Sequence, residues 1–135
     1  IMSRTILLVE DNEINIEIET EILNGLGFHL KAVTDGKMAV DTIRQSEPGE
    51  FALILMDIQM PVMDGWQATR EIRQLSDPVL SQIPIIALSA DAFESDEKKS
   101  IQCGMDAHLT KPIDIPLLLD TMGTVVHHHE TISKE

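Results

Sequence analysis

Apolar residues fall into five short runs along the chain, at 5–9, roughly 28–33, 51–56, 85–88 and 107–109, each closed by polar or turn residues. Runs of this length, rich in Ile, Leu and Val, read as strands. The 51–56 run, Phe-Ala-Leu-Ile-Leu-Met, has no polar alternation and predicts a strand buried on both faces. The intervening stretches carry helical spacing instead. Residues 13–26 place Ile14, Ile18, Ile22 and Leu26 four apart, predicting a helix whose core face is that row, with Gly27 as its stop. Asp35 is placed to cap a helix carrying Met38, Ala39 and Ile43 that ends before Pro48. Asp64-Gly65 opens another through Ala68 and Ile72, which Asp77-Pro78 ends or interrupts. Residues 95–102 are charged on one side, and 115–125 form a last amphipathic segment.

Strict alternation of strands and helices predicts an α/β fold: a parallel sheet covered on both faces, with right-handed crossovers. Residues 5–126 contain no internal repeat, linker or low-complexity segment and are assigned to one domain. Residues 1–4, with Ile1 before Met2, and the polar, unpatterned stretch 127–135 are set apart as flanking residues, the latter expected to be a disordered tail.

A chain of 135 residues can bury most of its apolar surface without disulfides. It is 43% apolar and has no uninterrupted apolar stretch near bilayer length. With no secretory signal and a single Cys103, a soluble, cytoplasmic protein with no direct membrane contact is the expectation. The net charge is −13, from 23 acids against 10 Lys and Arg, and there is no basic stripe. Binding nucleic acid by phosphate neutralisation is therefore excluded. Basic partner surfaces or divalent cations suit this charge better.

Charge also collects where strands are predicted to end: Glu10-Asp11 after the first, Asp57 after the third, Ser89 closing the fourth and Lys111 after the fifth. In open α/β sheets that rim holds ligands. Three carboxylates suit Mg²⁺, a backbone carbonyl after Asp57 can add a neutral ligand, and Lys111 offers a point charge to a phosphate or to Asp57. Taken singly, Asp57 could just cap the following helix and Lys111 could be a solvated strand end. A twelve-residue Ca²⁺ loop does not fit the spacing, and no Gly-rich loop ends in Lys-Ser/Thr.

Four segments together resemble the receiver domain of two-component response regulators: Val9-Glu-Asp-Asn-Glu-Ile-Asn15, Leu55-Met-Asp-Ile-Gln-Met-Pro-Val-Met-Asp-Gly65, Ala87-Leu-Ser-Ala90 and Leu109-Thr-Lys-Pro-Ile113. The resemblance implies a flavodoxin-like three-layer sandwich, with a five-stranded parallel sheet in the order 2-1-3-4-5 and five helices. It implies that Asp57 is the phospho-acceptor, attacking a partner's phosphohistidine. Asp11 and Asp57 would bind Mg²⁺ directly, Glu10 through water, and the Gln59 main-chain carbonyl would complete the protein ligands, with Mn²⁺ able to substitute. Ser89, Ala90 and Lys111 would be the phosphate-binding and switch positions, and the Lys111–Pro112 peptide would be cis. The chain would then catalyse only its own phosphorylation and dephosphorylation. Partners would be a histidine kinase or a histidine phosphotransfer protein, and the chain itself a monomer or weak dimer.

The wording is most like the receiver of a hybrid sensor histidine kinase, with a free-standing regulator as the second option. This stretch holds no DNA-binding output domain. Two departures from the family stand out: Ser89 replaces the commoner Thr, and His108 stands where a switching Tyr or Phe is usual. An imidazole there can rotate and pack, or point to solvent. With the Ile14 row inward, Ile16 falls on the opposite side of its helix and is the expected docking residue, as the resemblance also suggests. Asn15 is expected to bond the neighbouring loop, and Met63, Trp66 and Cys103 to pack without chemistry. A pseudo-receiver, binding partners without phosphorylation, is the alternative. A phosphatase acting on small substrates fits poorly, since Gln59 stands where a second acid would be needed.

Overall fold

The computed structural model describes the backbone of residues 5–90 and 94–133 and the side chains of 5–90 and 96–126. Residues 1–4, set apart above, lie outside the described residues, as do Lys134 and Glu135. The elements run β1 (Thr5–Val9), α1 (Glu13–Gly25), β2 (His29–Val33), α2 (Gly36–Gln45), β3 (Phe51–Asp57), α3 (Gly65–Arg73), α4 (Pro78–Ser81), β4 (Ile85–Ser89), α5 (Glu94–Gln102), β5 (Ala107–Thr110) and α6 (Ile115–Ser133). All strand pairs are parallel, in the order β2-β1-β3-β4-β5. The flavodoxin-like order that the resemblance implies is the one observed.

The central strands explain the layers. Side chains alternate across a strand, so Leu7, Val9, Ile54, Met56, Ile85 and Ala87 face one side, with Ala39, Ile43, Ala68 and Ile72 from α2 and α3. Ile6, Leu8, Leu53, Leu55, Ile86 and Leu88 face the other, against Leu23 of α1 and Leu118 and Met122 of α6. β3 is buried over its whole length, as its unbroken apolar run requires. Side-chain caps start the helices: Asn12, Asp35, Asp64 and Asp77 each accept a backbone N–H from the first turn that follows. Among the described residues no helix is long and apolar enough to cross a membrane.

Three elements differ from the sequence expectation. The inward face of α1 is not the Ile14 row. Ile14, Ile18, Ile22 and Leu26 are exposed, whereas Glu19 and Leu23 are buried and Ile16 is half-buried. Residues four apart drift about 40° per step on a helix of 3.6 residues per turn, so three steps spread that row over about 120°. Residues 16, 19, 20 and 23 form the tighter face, and Leu23 locks it onto Phe28, Leu53 and Leu55. Ile16 is accordingly a flank residue and not the exposed knob.

The Asp77-Pro78 pair starts an element instead of ending one. Asp77 accepts from the N–H groups of Val79 and Leu80 at 2.8 and 3.3 Å, and Pro78 sits in the first turn, where its missing N–H costs nothing. This gives a sixth helix, the four-residue α4. The last helix continues to Ser133, through residues assigned above to a disordered tail. No Pro or Gly follows Gly123 to stop it, and extending a formed helix is far easier than nucleating one.

At the rim opposite the strand exits, Arg73 ties three segments together. Its guanidinium donates to the carbonyls of Gly104, Ser81 and Ile83 and to Asp106 Oδ2, which also accepts from the Ile85 N–H. That clamp fixes the starts of β4 and β5, whose far ends carry Ser89 and Lys111.

Candidate functional site

Parallel strands end together, and the register brings the charged residues to one level. Val9 lies beside Met56, Asp57 beside Leu88, and Ser89 beside Thr110. Glu10 and Asp11 leave β1, Asp57 ends β3, Ser89 ends β4 and Lys111 follows β5. The oxygens of Glu10, Asp11 and Asp57 come within 4.8 Å of one another. Glu10 and Asp57 are buried and Asp11 is exposed, so the cluster opens to solvent on the Asp11 side.

Each buried acid is oriented on both oxygens. Glu10 Oε1 accepts from the Asn12 N–H at 3.3 Å and the Asn15 amide at 3.4 Å, while Oε2 accepts from Lys111 Nζ at 2.6 Å. Asp57 Oδ1 accepts from the Gln59 N–H at 3.1 Å, and Oδ2 accepts from Lys111 Nζ at 3.2 Å. Asn15 thus bonds the loop next to it, as its inward placement suggests. Gly65 is required by close approach, since a Cβ there would collide with the Asp57 carbonyl. That contact packs the start of α3 against the acid, and Asp64 caps the helix there by accepting from the Gln67 N–H at 2.8 Å.

Electrostatics follow from three carboxylates facing one ammonium. Burial, with Glu10 adding to it, pushes the Asp57 carboxyl up to about 6, although Lys111 pulls the other way. Burial alone would lower the Lys111 pKa, but the Glu10 hydrogen bond and the two carboxylate charges outweigh it, and the net direction is upward. Lys111 is therefore a fixed positive charge. It leaves an excess of negative charge at the rim, which suits a divalent cation with oxygen ligands. The donor set fits magnesium on chemical grounds: carboxylates only, with Asp11 open to water.

Ser89 is buried at the same rim, and its carbonyl accepts from the Lys111 N–H at 2.7 Å, joining the β4 exit to the lysine. Ala90, exposed, lines a groove together with Lys111 and Pro112. The Lys111–Pro112 peptide is cis. His108 does not point to solvent. Its Nδ1 lies 3.0 Å from Ser100 Oγ, and that hydroxyl accepts from the Trp66 indole N–H at 2.9 Å. A hydroxyl carries one proton and two lone pairs, so Ser100 Oγ can take the indole N–H and still pair with Nδ1 in either imidazole tautomer. Nε2 is buried without a partner.

Two residues of this region were not singled out from the sequence. Glu19 was missed because the core face of α1 was drawn through the Ile14 row. An acid three residues after Ile16 and four before Leu23 was the signal. Ser100, buried in a charged helix, links Trp66 to His108 across three elements. Nothing in the local sequence marks that.

The sequence profile of the response regulator receiver domain matches residues 6–122. Histidine kinase 1 of Arabidopsis thaliana is 38% identical over 87% of this chain, which spans only 12% of that kinase. The receiver domain of the sensor histidine kinase PA1611 from Pseudomonas aeruginosa superposes with a TM-score of 0.80 at 36% identity. The match covers 92% of this chain and 98% of that one, whose structure has a magnesium ion coordinated in the active-site cleft. The receiver domain of Ssk1 from Saccharomyces cerevisiae, crystallised with the histidine phosphotransfer protein Ypd1, superposes at a TM-score of 0.78 with 28% identity, covering 90% and 88% of the two chains. With the profile spanning nearly the whole fold and the acids gathered where such folds hold ligands, this chain belongs to the response regulator receiver domains of two-component signalling.

Proposed function

We propose that Asp57 accepts a phosphoryl group from a phosphohistidine on a partner protein, and that residues 5–126 form the unit that does so. What carries the reading is the Asp57 carboxylate itself. It is buried at the strand exit, held by the Gln59 N–H on one oxygen and by Lys111 on the other, and faced by Glu10 and Asp11. An Asp57 oxygen attacks phosphorus, a P–O bond forms, and the P–N bond to the partner imidazole breaks. The imidazole nitrogen keeps that electron pair and takes a proton from solvent.

Asp11 and Asp57, with Glu10 through water and the Gln59 carbonyl, would hold Mg²⁺, or Mn²⁺ in its place. When bound, that ion offsets negative charge on the transferring group. Lys111 does the same from the β5 side, and Ser89 is placed to donate a hydrogen bond to a phosphoryl oxygen. The magnesium in the PA1611 cleft supports a magnesium site at this rim. The new dianionic group would then draw Ser89, Ala90 and Lys111 together and bias the segment after β4, which a partner reads.

The donor is a histidine kinase or histidine phosphotransfer protein, a reading supported by the Ypd1–Ssk1 pairing. The likeness to several histidine kinases supports membership of a hybrid kinase in a phosphorelay, and a cytoplasmic location is part of the same reading. Intact mass after incubation with acetyl phosphate tests the proposal. One added phosphoryl group that requires Mg²⁺ and disappears in Asp57→Asn is expected. No addition to wild type would favour the pseudo-receiver reading.

A further inference from the structure

β3 hands the chain to α3 through residues 58–64, and the tip of that loop is strained. The Met63 N–H donates to the Pro61 carbonyl, two residues back, at 2.7 Å. This closes a γ-turn on Val62, whose φ is 68°. Among the described residues no other residue besides glycine has a positive φ. A Cβ disfavours left-handed backbone, a β-branched side chain most of all, and γ-turns of this hand are rare. Packing does not explain the valine. Its side chain is 79% exposed and belongs to neither core cluster.

The turn is held from both sides. The Ile58 carbonyl accepts from the Gly65 N–H at 2.9 Å, and the Met63 carbonyl accepts from the Gly36 N–H at 3.1 Å. The start of α2 approaches so closely that a Cβ on Gly36 would collide with that Met63 carbonyl. Only Gln59, Met60, Pro61 and Val62 lie between the two pinned carbonyls. Met60 packs on the core, and the Pro61 ring fixes its own φ. Relief of the turn therefore falls on the peptide units flanking Gln59. The Gln59 N–H holds Asp57 Oδ1 at 3.1 Å, and its carbonyl is the neutral ligand proposed above for the divalent ion.

Resting on that metal site, we infer that Val62 is a positioning residue: the left-handed turn it closes aims the Gln59 carbonyl and so sets how tightly the rim holds Mg²⁺. Val62 works against the turn that the ion needs. It makes the ion-binding form of the loop less populated than a residue suited to positive φ would, and apparent affinity falls by the same fraction.

The test is Mg²⁺ titration of the full chain by Trp66 fluorescence, with urea midpoints in EDTA, for wild type and three variants. Val62→Gly and Val62→Asn accept positive φ readily. Val62→Thr keeps the β-branch, and hence the strain, while removing the exposed apolar surface. The first two are expected to bind Mg²⁺ about fivefold tighter than wild type, and Val62→Thr to stay within about twofold of it. A residue that served only to fold the loop would move the urea midpoint and leave ion affinity alone. Unchanged or weaker Mg²⁺ binding in Val62→Gly and Val62→Asn, or an equal gain in Val62→Thr, would overturn the proposal. Wild type that binds no Mg²⁺ would overturn it together with the receiver reading. Wild type that binds Mg²⁺, with a flat series of variants, defeats only the role of Val62.

Discussion

Lys111 sits closer to Glu10 than to Asp57, at 2.6 Å against 3.2 Å. The shorter bond goes to Glu10 and not to Asp57, the acid proposed to take the phosphoryl group. Glu10 therefore acts as the anchor of the ammonium and leaves it within reach of Asp57, where it can follow new charge onto a phosphoryl group. An anchored lysine costs less reorganisation when that charge arrives than a solvated one would.

Lys111→Met tests this arrangement. It leaves two buried carboxylates without their shared cation, and removing one partner of such a cluster should destabilise the chain by roughly 2 kcal/mol in the absence of a divalent ion. Phosphoryl uptake from acetyl phosphate should fall about a hundredfold, the usual scale for losing one charge-stabilising donor. Affinity for Mg²⁺ should hold or rise, because a competing positive charge has gone. Urea melts in EDTA, mass spectrometry and Mg²⁺ titration of Trp66 fluorescence give the three readouts, and lost Mg²⁺ affinity would contradict the account.

Most of this site was legible in the sequence because each of its residues is tied to a strand exit. An apolar run ending in Asp57, or in Glu10 and Asp11, fixes where those carboxylates go once the sheet is parallel. The errors arose where the signal was periodic. On α1, four-residue spacing drew the core face through Ile14, Ile18 and Ile22, although Leu23 packs into the sheet and turns that row outward. Isolated positions hid their roles for another reason. Ser100 matters through Trp66 and His108, 34 and 8 residues away in sequence, and only tertiary packing brings them together.

The Trp66–Ser100–His108 chain should be structural first. Ser100→Ala leaves the indole N–H and the imidazole Nδ1 without their shared partner, at a cost of about 2 kcal/mol. Lys99 lies 4.1 Å from the centre of the Trp66 ring, so the indole would stay in place while its hydrogen bond is lost. The expected result is a lower urea midpoint with a blue-shifted Trp66 emission. An unchanged spectrum and midpoint would show that the chain contributes nothing.

Stability should fall as pH rises. The Glu19 carboxyl has an ordinary value of 4.5 and is raised to about 7 by burial and by Glu10 and Asp57. Between those values Glu19 holds its proton in the folded chain and loses it in the unfolded one, so its contribution to stability is fully present below 4.5 and is lost as pH rises to about 7. The contribution of this one group is on the order of 3 kcal/mol. Glu19→Gln should flatten that part of the profile and make the variant more stable than wild type at pH 8. Denaturant midpoints measured in EDTA from pH 5 to 8 decide it, and parallel profiles for the two proteins would rule it out.

Phosphoryl transfer between proteins should depend on the exposed row of α1. Ile18 is half exposed and packs into neither core cluster, so Ile18→Glu should change stability by no more than about 0.5 kcal/mol. Docking is another matter, because Ile18 lines the groove shared with Ala90, Lys111 and Pro112, and a charge there would oppose a partner that docks through apolar contact. Uptake from a phosphorylated histidine phosphotransfer protein should drop about tenfold more than uptake from acetyl phosphate, which needs no docking. Ile16→Glu makes the contrast. Its side chain is half-buried on the flank of α1, so the variant should lose roughly 1–2 kcal/mol of stability, while its ratio of protein-donor to acetyl phosphate uptake stays near that of wild type. If Ile16→Glu shifted that ratio and Ile18→Glu did not, the docking face would lie on the flank of α1 and not on its exposed row.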